Sequence, residues 1–215
     1  MLYQILRLFS ILLCKILFRV TVKGREAIPQ KGGILLVSNH ASYLDPILLG
    51  VVCPRPVHFF ARADLFKKNF WFGGLIRALH AFPVDIHRPL DKDAIEKAIK
   101  KLKEGEVVVV YPEGTRSRDG ALHRGQAGAG FFAVKAGVPV LPVYIRGAYA
   151  AFPPGAWVIR PQKISVHFGK ILFFPPPTLR PEDVSSQKGH RQRFYQKIAD
   201  QMMEAIREIK DLTET

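Results

Sequence analysis

Short apolar runs alternate with amphipathic stretches along most of the chain. The runs 34–37 and 107–111 are continuously apolar, which is typical of strands that are buried on both faces of a sheet. Segments 91–103 and 190–212 instead have the period of amphipathic helices. The apolar face of the first of these helices consists of Ala94, Ile95, Ala98, Ile99 and Leu102. We therefore predict an α/β fold, a single domain with a mixed, mostly parallel sheet flanked by helices.

Turn-forming residues predict where two further elements begin and end. A short helix is predicted over 46–52, because Pro46 suits the first helical position and Asp45 is a natural N-cap. Residues 164–174 contain two short β-prone runs on either side of Gly169. These runs are predicted to form a hairpin that turns at the glycine.

Segment 2–20 is the most apolar long stretch of the chain. Three basic residues interrupt it, namely Arg7, Lys15 and Arg19. A spanning helix needs roughly 20 predominantly apolar residues, so an interfacial helix whose basic side chains reach the headgroups fits better. The alternative is a helix that packs on the core of its own domain. We predict a membrane-associated helix over residues 1–20, followed by a folded domain over residues 21–215.

The net charge indicates what kind of molecule the protein binds, and the cysteine content indicates the redox state of its cellular compartment. The formal net charge of +14 favours a polyanionic partner, either an anionic membrane surface or a nucleic acid. The aromatic residues lie mostly in apolar strands and helices, not between exposed basic residues, so no nucleic acid is expected. The two cysteines, Cys14 and Cys53, form no metal-binding CxxC pair and indicate no disulfide framework. A reducing cytoplasm fits this cysteine usage.

The stretch after the apolar run 34–37 carries the first candidate chemistry. It places His40 five residues before Asp45, with small and polar residues between them. If the helix begins at Pro46, the intervening residues form a turn at the end of a strand, where ligands bind in open α/β sheets. Such a turn allows the carboxylate to reach the imidazole, orient it and support it as a base. The alternative is that Asp45 only caps the helix and His40 is an ordinary turn residue.

A second candidate site follows the apolar run 107–111. The sequence from Pro112 to Arg118 reads PEGTRSR, and it combines a flexible glycine, a hydroxyl and two arginines. Arginine is well suited to bidentate phosphate binding. The alternative is a solvated loop with a Glu–Arg surface pair.

These stretches resemble the signatures of the glycerolipid acyltransferases. Residues 39–45 match the NHxSxxD signature, and residues 112–117 match PEGTRS. Residues 81–85, AFPVD, resemble the second signature of that family, and residues 138–143, VPVLPV, resemble the fourth. Order and separation agree as well, so the resemblance covers roughly residues 20–170. The nearest subgroup is that of the 1-acylglycerol-3-phosphate acyltransferases.

The resemblance implies a reaction and a role for each matched residue. His40 would be the general base that deprotonates the sn-2 hydroxyl of 1-acylglycerol-3-phosphate, and Asp45 would orient it. The hydroxyl would attack the thioester of acyl-CoA or acyl carrier protein directly, giving phosphatidic acid without an acyl-enzyme. The residues that would bind the glycerophosphate are Glu113, Gly114, Thr115 and Arg116. The thioester is a co-substrate, and no cofactor and no metal are expected, because the histidines lack ligand spacing.

The chain departs from the family pattern at one point. The second signature usually carries an arginine soon after its Val-Asp pair, but Ile86 stands at the first position and Arg88 follows two residues later. Arg88 is therefore a further candidate for phosphate binding. With the segment 1–20, the resemblance implies an enzyme at the cytoplasmic face of the cell membrane.

Three other functions remain open at this point. The basic charge also fits a non-catalytic membrane or nucleic-acid binder. The same chemistry also fits a lysolipid acceptor with a different headgroup. A hydrolase that uses His40 would need a separate nucleophile, but the chain has no GxSxG sequence, and Ser42 is not placed as one.

Overall fold

One sheet organises the computed structural model, which describes residues 2–68, 73–74, 76–77, 79–85, 91–175 and 187–214. Its strands are β1 Thr21–Lys23, β2 Ile34–Ser38, β3 Val57–Arg62, β4 Ala81–Val84, β5 Val107–Val110, β6 Val140–Arg146 and β7 Ser165–Phe168. The helices in this part of the chain are α1 Leu2–Phe18, α2 Asp45–Val52, α3 Leu65–Lys68, α4 Lys92–Lys103, α5 Ala127–Ala136, α6 Ala148–Ala151 and α7 Gln187–Glu214.

The sheet is mixed and mostly parallel, as predicted. Its strand order is β1-β7-β6-β2-β5-β3-β4. All neighbours pair in parallel except β6 and β7, which are antiparallel. The central strands β6, β2 and β5 therefore all end at the same edge of the sheet, which we call the carboxyl edge. In parallel α/β sheets this edge is where ligands bind.

Helices cover both faces of the sheet, which explains why β2 is apolar at every position up to its last residue. Its side chains alternate between two cores, since Leu36 packs with one cluster and Leu35 with the other. The first core includes residues of α1 and α2, and the second includes residues of α4, α5 and α7. Strands buried on both faces carry continuous apolar runs, so the prediction of a single α/β domain is confirmed.

The predicted hairpin over residues 164–174 is wrong. After β7 the chain does not turn back at Gly169 but continues along β6. The Gly169 N–H donates to the Pro142 carbonyl, and Leu172 pairs with Val140 in an isolated antiparallel bridge. Pairing with a central strand buries more apolar surface than a local two-stranded hairpin, so the tertiary contact decides the conformation.

Helix α1 has one face in the core and one face in solvent. Cys14 and Phe18 are buried in the same cluster as α2. Among the α1 side chains that the structure describes, the large apolar ones exposed to solvent are Leu8, Leu12, Leu13 and Ile16. Within the part of the chain that the structure describes, no helix has the length and apolar character needed to cross a membrane.

Candidate active site

Three connections meet at the carboxyl edge of the sheet. The turn that begins at Asn39 follows β2, the loop that begins at Tyr111 follows β5, and the residues after Arg146 follow β6. Since β2 lies between β5 and β6, its turn contacts both neighbours. The Ser117 N–H donates to the His40 carbonyl at 2.7 Å, which joins the first connection to the second.

His40 and Asp45 form a direct pair inside this turn. The His40 Nδ1 lies 2.8 Å from Asp45 Oδ2, and the His40 side chain is 13% exposed whereas the Asp45 side chain is fully buried. The same carboxylate oxygen also accepts the N–H groups of Ala41 and Ser42, both at 2.8 Å. A buried carboxylate with three donors on one oxygen is held in place, so it fixes the orientation of the imidazole.

The predicted role of Asp45 as an N-cap is wrong by one position. Asp45 is the first residue of α2, and the N-cap is Leu44, which makes no side-chain capping bond. The Asp45 carboxylate turns back towards residues 40–42 and does not bond the first helical amides. Pro46 is accordingly the second helical residue and not the first, one position later than predicted. Its missing N–H still leaves no donor unsatisfied in the first turn.

Asn39 and Ser42 hold the turn in position, and the sequence had assigned neither of them a role. The Asn39 side chain donates to the Ile145 carbonyl and accepts the Ile145 N–H, at 3.0 and 2.8 Å. The Ser42 hydroxyl donates to the Phe152 carbonyl at 2.7 Å and accepts the Leu44 N–H. Both side chains are buried; Asn39 ties the turn to strand β6 itself, and Ser42 ties it to the connection after β6. Because the Ser42 hydroxyl is engaged in this way, it is poorly placed to be a separate nucleophile.

Tyr111 stacks on the face of His40. The two rings are 3.9 Å apart between centroids and nearly parallel, with an angle of 13°. The Tyr111 hydroxyl is buried, and desolvation together with the Asp45 charge raises the pKa of the phenol well above its usual value. The tyrosine therefore stays neutral, and it limits rotation of the imidazole from one side.

Glu113 links the two loops of the site. One carboxylate oxygen accepts the His40 N–H at 3.1 Å, and the other accepts the His123 N–H at 3.2 Å. Burial raises the pKa of the Glu113 carboxyl, and these two N–H donors partly offset that effect. Gly114 follows with a φ of 75°, and its N–H donates to the Tyr111 carbonyl, which closes a tight turn. A glycine tolerates this left-handed conformation at little cost.

Arg116 lies in the loop after β5, directly before Ser117, whose N–H bonds the His40 carbonyl. Its guanidinium is 4.1 Å from the centre of the Tyr43 ring, and Tyr43 in turn contacts the Phe152 ring. The Arg116 Nε is buried and has no hydrogen-bond partner among the described residues. The arginine is thus held against an aromatic face beside His40, with donors that are not used within the described part of the protein.

Of the remaining predicted site residues, the structure describes Gly114 and Thr115. Gly114 and Thr115 are exposed at the loop surface. Another arginine at the carboxyl edge already has a partner, since Arg62, at the end of β3, forms a bidentate ion pair with Asp64 at 3.0 and 2.8 Å. Arg88 lies outside the described residues.

A second histidine cluster lies near the opposite edge of the sheet. His58 stacks on His80 at 4.8 Å, and its Nε2 is 3.9 Å from a Glu106 carboxylate oxygen. Burial, together with the positive charge of nearby His80, lowers the pKa of His58 to about 4. This cluster is separate from the His40 turn, and the neutral His58 ring packs like an aromatic core residue.

The arrangement around His40 is suited to accepting a proton. With Nδ1 donating to Asp45, the Nε2 atom keeps its lone pair. The buried carboxylate then stabilises the imidazolium that forms. Arg116, in the loop that bonds to the His40 turn, has donors that no described residue uses. The site therefore combines a base with a group suited to binding an anion.

Comparison with known proteins indicates the family to which the chain is related. A sequence model of the Acyltransferase family matches residues 19–146. The chain is 38% identical over 130 residues to a Bacillus subtilis protein named 1-acyl-sn-glycerol-3-phosphate acyltransferase, with 60% of this chain and 63% of that protein covered. A Pseudomonas aeruginosa protein of the same name is 31% identical over 171 residues, with 76% and 64% covered. The chain therefore spans less than two thirds of the length of these curated relatives.

A solved structure agrees over nearly the whole chain. The crystal structure of the 1-acyl-sn-glycerophosphate (LPA) acyltransferase from Thermotoga maritima superposes with a TM-score of 0.69 at 29% identity, and the match covers 98% of this chain and 79% of that one. The family match includes both the His40 turn and the loop from Glu113 to Ser117, and it extends over more than half of the chain. The chain belongs to the acyltransferase family.

Proposed function

We propose that the protein transfers a fatty acyl group from a thioester to the sn-2 hydroxyl of 1-acylglycerol-3-phosphate, which gives phosphatidic acid. The observation that carries this proposal is the buried Asp45 oxygen that holds His40 Nδ1 at 2.8 Å, in a turn that the family match covers. The names of the similar proteins from Bacillus subtilis and Thermotoga maritima support the same acceptor.

His40 is the general base in this mechanism. Its Nε2 takes the proton of the acceptor hydroxyl, and the hydroxyl oxygen attacks the thioester carbonyl carbon. Asp45 stabilises the imidazolium through the bond to Nδ1. The tetrahedral intermediate collapses with cleavage of the C–S bond, and the imidazolium returns its proton to the departing thiolate. The products are the oxygen ester and a free thiol, so no acyl-enzyme, metal or further cofactor is required.

Arg116 binds the phosphate of the acceptor. Tyr43 holds the guanidinium in place from one face, which leaves its edge for a bidentate bond to phosphate. Gly114 and Thr115, exposed beside it, lie within the same binding loop. Arg88 remains a candidate phosphate ligand on the resemblance alone.

We assign Glu113 to the support of the site, not to a direct bond with phosphate. Both of its oxygens already accept backbone N–H groups, from His40 and His123. A carboxylate would also repel the phosphate dianion. Its contact with the His40 backbone positions the base relative to the Arg116 loop, so it contributes to acceptor binding indirectly.

The protein works at the cytoplasmic face of the cell membrane, where its acceptor and product reside. Helix α1 turns Leu8, Leu12, Leu13 and Ile16 to solvent, and an interfacial helix buries such a face among lipid headgroups and acyl chains. The net charge of +14 strengthens binding to an anionic leaflet. Two free cysteines fit a reducing compartment.

The proposed function is tested with purified protein, two donors and a panel of acceptors. Acyl-CoA and acyl carrier protein thioesters are each combined with lysophosphatidic acid, lysophosphatidylglycerol and lysophosphatidylcholine in detergent, and products are identified by mass spectrometry. We expect phosphatidic acid as the main product with at least one donor. If only another lysolipid gave a diacyl product, the proposed acceptor would be wrong. If free fatty acid were the only product, the protein would be a hydrolase.

A further inference from the structure

The loop between α6 and β7 carries an exposed apolar tip that the proposed reaction does not use. Residues 157–163 are all exposed, and this segment has no regular secondary structure. Trp157 is 96% exposed, Val158 69% and Ile159 41%. Single exposed apolar residues are ordinary, but three in a row that begin with a tryptophan form a patch. We call residues 153–163 the Trp157 loop.

The Trp157 loop has a defined start. Pro153, Pro154, Gly155 and Ala156 form a tight turn in which the Ala156 N–H donates to the Pro153 carbonyl. Gly155 has a φ of 83°, as a type II turn requires at its third position. The exposed apolar residues 157–159 therefore follow directly after a defined turn, which fixes where they leave the domain.

Both ends of the Trp157 loop lie at the active-site edge of the sheet. At its start, the Phe152 carbonyl accepts bonds from the Ser42 hydroxyl and the Tyr43 N–H. At its end, the Ile164 N–H donates to the Phe18 carbonyl, at the C-terminus of α1. The loop thus connects the His40 turn to the helix whose exposed leucines and isoleucine are the proposed membrane contact.

The charge of the Trp157 loop identifies the partner. Exposed Arg160 and Lys163 follow the apolar tip, and residues 153–163 contain no Asp or Glu. Tryptophan prefers the level of the lipid headgroups, where its ring is apolar and its N–H finds an acceptor. Cations directly behind such a tip are attracted to anionic headgroups. A second copy of the chain would instead bring like charges together.

We propose that the Trp157 loop inserts into an anionic bilayer surface as a second membrane contact beside α1. The two contacts orient the domain so that the opening at His40 and Arg116 faces the lipid from which the acceptor comes. The use of this contact in catalysis rests on the proposed acyl transfer, but insertion itself does not.

Vesicle binding of the full chain tests the insertion. Trp157→Ser is expected to lower partitioning onto phosphatidylglycerol-containing vesicles about tenfold. The matched control is Phe173→Ser, which also removes an exposed aromatic side chain, 70% exposed in this case. Phe173 follows Leu172, which pairs with the first residue of β6, so it lies at the opposite edge of the sheet from the Trp157 loop. Its partitioning is expected to stay within about twofold of wild type. Equal losses in both variants would contradict a specific contact.

Two further variants separate the charge from the apolar tip. Replacing Arg160 and Lys163 together by Gln is expected to weaken binding to phosphatidylglycerol vesicles about tenfold while leaving binding to pure phosphatidylcholine nearly unchanged. An equal loss on both vesicle types, or no loss on either, would contradict recognition of an anionic surface.

Fluorescence locates the side chain directly. The chain has two tryptophans, so the difference between the spectra of wild type and Trp157→Phe reports on Trp157. On anionic vesicles we expect this difference spectrum to shift to the blue and to be quenched by brominated lipid. An unshifted, unquenched signal on protein that has bound vesicles would overturn the proposal. A blue shift that grows with protein concentration without lipid would identify a second copy as the occupant and would also overturn it.

Turnover distinguishes this proposal from the proposed reaction. Trp157→Ser is expected to make phosphatidic acid at the wild-type rate when lysophosphatidic acid is dispersed in detergent, and to be slower on vesicles. If the wild type made no phosphatidic acid under either condition but Trp157 still inserted, the reaction would be wrong and the membrane contact would stand. If turnover on vesicles were unaffected in Trp157→Ser, the contact would have no part in catalysis.

Discussion

Replacing Asp45 by Asn separates the charge of the carboxylate from its geometry. One buried oxygen accepts the His40 Nδ1–H and the N–H groups of Ala41 and Ser42, each at 2.8 Å. An asparagine keeps an oxygen for these three donors but removes the negative charge. Asp45→Ala removes the oxygen as well, and the two backbone N–H groups then stay buried without an acceptor. The two variants therefore differ mainly in stability.

The magnitudes follow from these bonds. A hydrogen bond to a charged group contributes about 1.5–3 kcal/mol, and the charge is needed most when the imidazolium forms. We expect Asp45→Asn to lower kcat about 10- to 100-fold. We also expect it to lower the free energy of unfolding by about 1 kcal/mol, because the new amide nitrogen takes the place of the Asp45 Oδ1 atom, which is buried and has no partner among the described residues. Asp45→Ala is expected to cost about 2–4 kcal/mol of stability. Initial rates of phosphatidic acid formation and urea unfolding measure both effects.

The double variant tests whether Asp45 acts through His40. If it does, Asp45→Asn has no further effect on the residual rate of His40→Ala, because the group it supports is already absent. The same fractional loss in both backgrounds would refute the proposed pair. A wild-type kcat in folded Asp45→Asn would refute the need for the charge.

Three further predictions concern residues around the site and at the opposite edge. Tyr43→Leu is expected to raise KM for lysophosphatidic acid about fivefold with little change in kcat, whereas Tyr43→Phe keeps the ring under Arg116 and stays near wild type; equal KM values in the two variants would contradict the role of the ring. Glu113→Gln leaves one of two backbone N–H groups without an acceptor, so it is expected to lose about 1–2 kcal/mol in urea unfolding and to lower kcat; an unchanged protein would contradict the linking role. Because the pKa of His58 is lowered from 6.5 to about 4, the unfolded chain binds a proton first as pH falls. Stability is therefore expected to fall by up to about 3 kcal/mol between pH 6.5 and 4, and His58→Phe is expected to reduce this slope; an unchanged slope would contradict burial of the neutral ring.

The sheet could be predicted because its central strands are marked by short patterns of consecutive residues. The runs around Leu36 and Val109 are continuously apolar, and only strands covered on both faces explain that pattern. A mostly parallel sheet places the His40 turn at the carboxyl end of its strand, where ligands bind, but that β2 and β5 are neighbours is known only from the structure. Helix α4 could be predicted for the same reason, since its apolar residues have helical spacing and Ala98 and Leu102 are buried as that spacing requires.

What could not be predicted depends on contacts between distant residues. Nothing near Tyr111 in the sequence indicates that its ring stacks on His40, which is 71 positions earlier. Gly169 was taken for a turn because local rules favour one, but pairing with β6 outweighed them. The role of Asp45 could be predicted only in part. Its spacing from His40 indicated that the two side chains could pair. The sequence did not indicate that a single carboxylate oxygen accepts three hydrogen bonds, because that arrangement exists only in the folded turn.

The most direct test of the account is the rate of phosphatidic acid formation by His40→Ala in detergent with saturating lysophosphatidic acid and thioester donor. The side chain is only 13% exposed and its ring packs on Tyr111, so folding of the variant is checked by urea unfolding in the same buffer. The account predicts a folded protein whose kcat is at least about 10³-fold below wild type, because the base is absent. A folded His40→Ala that turns over near the wild-type rate would contradict the central claim.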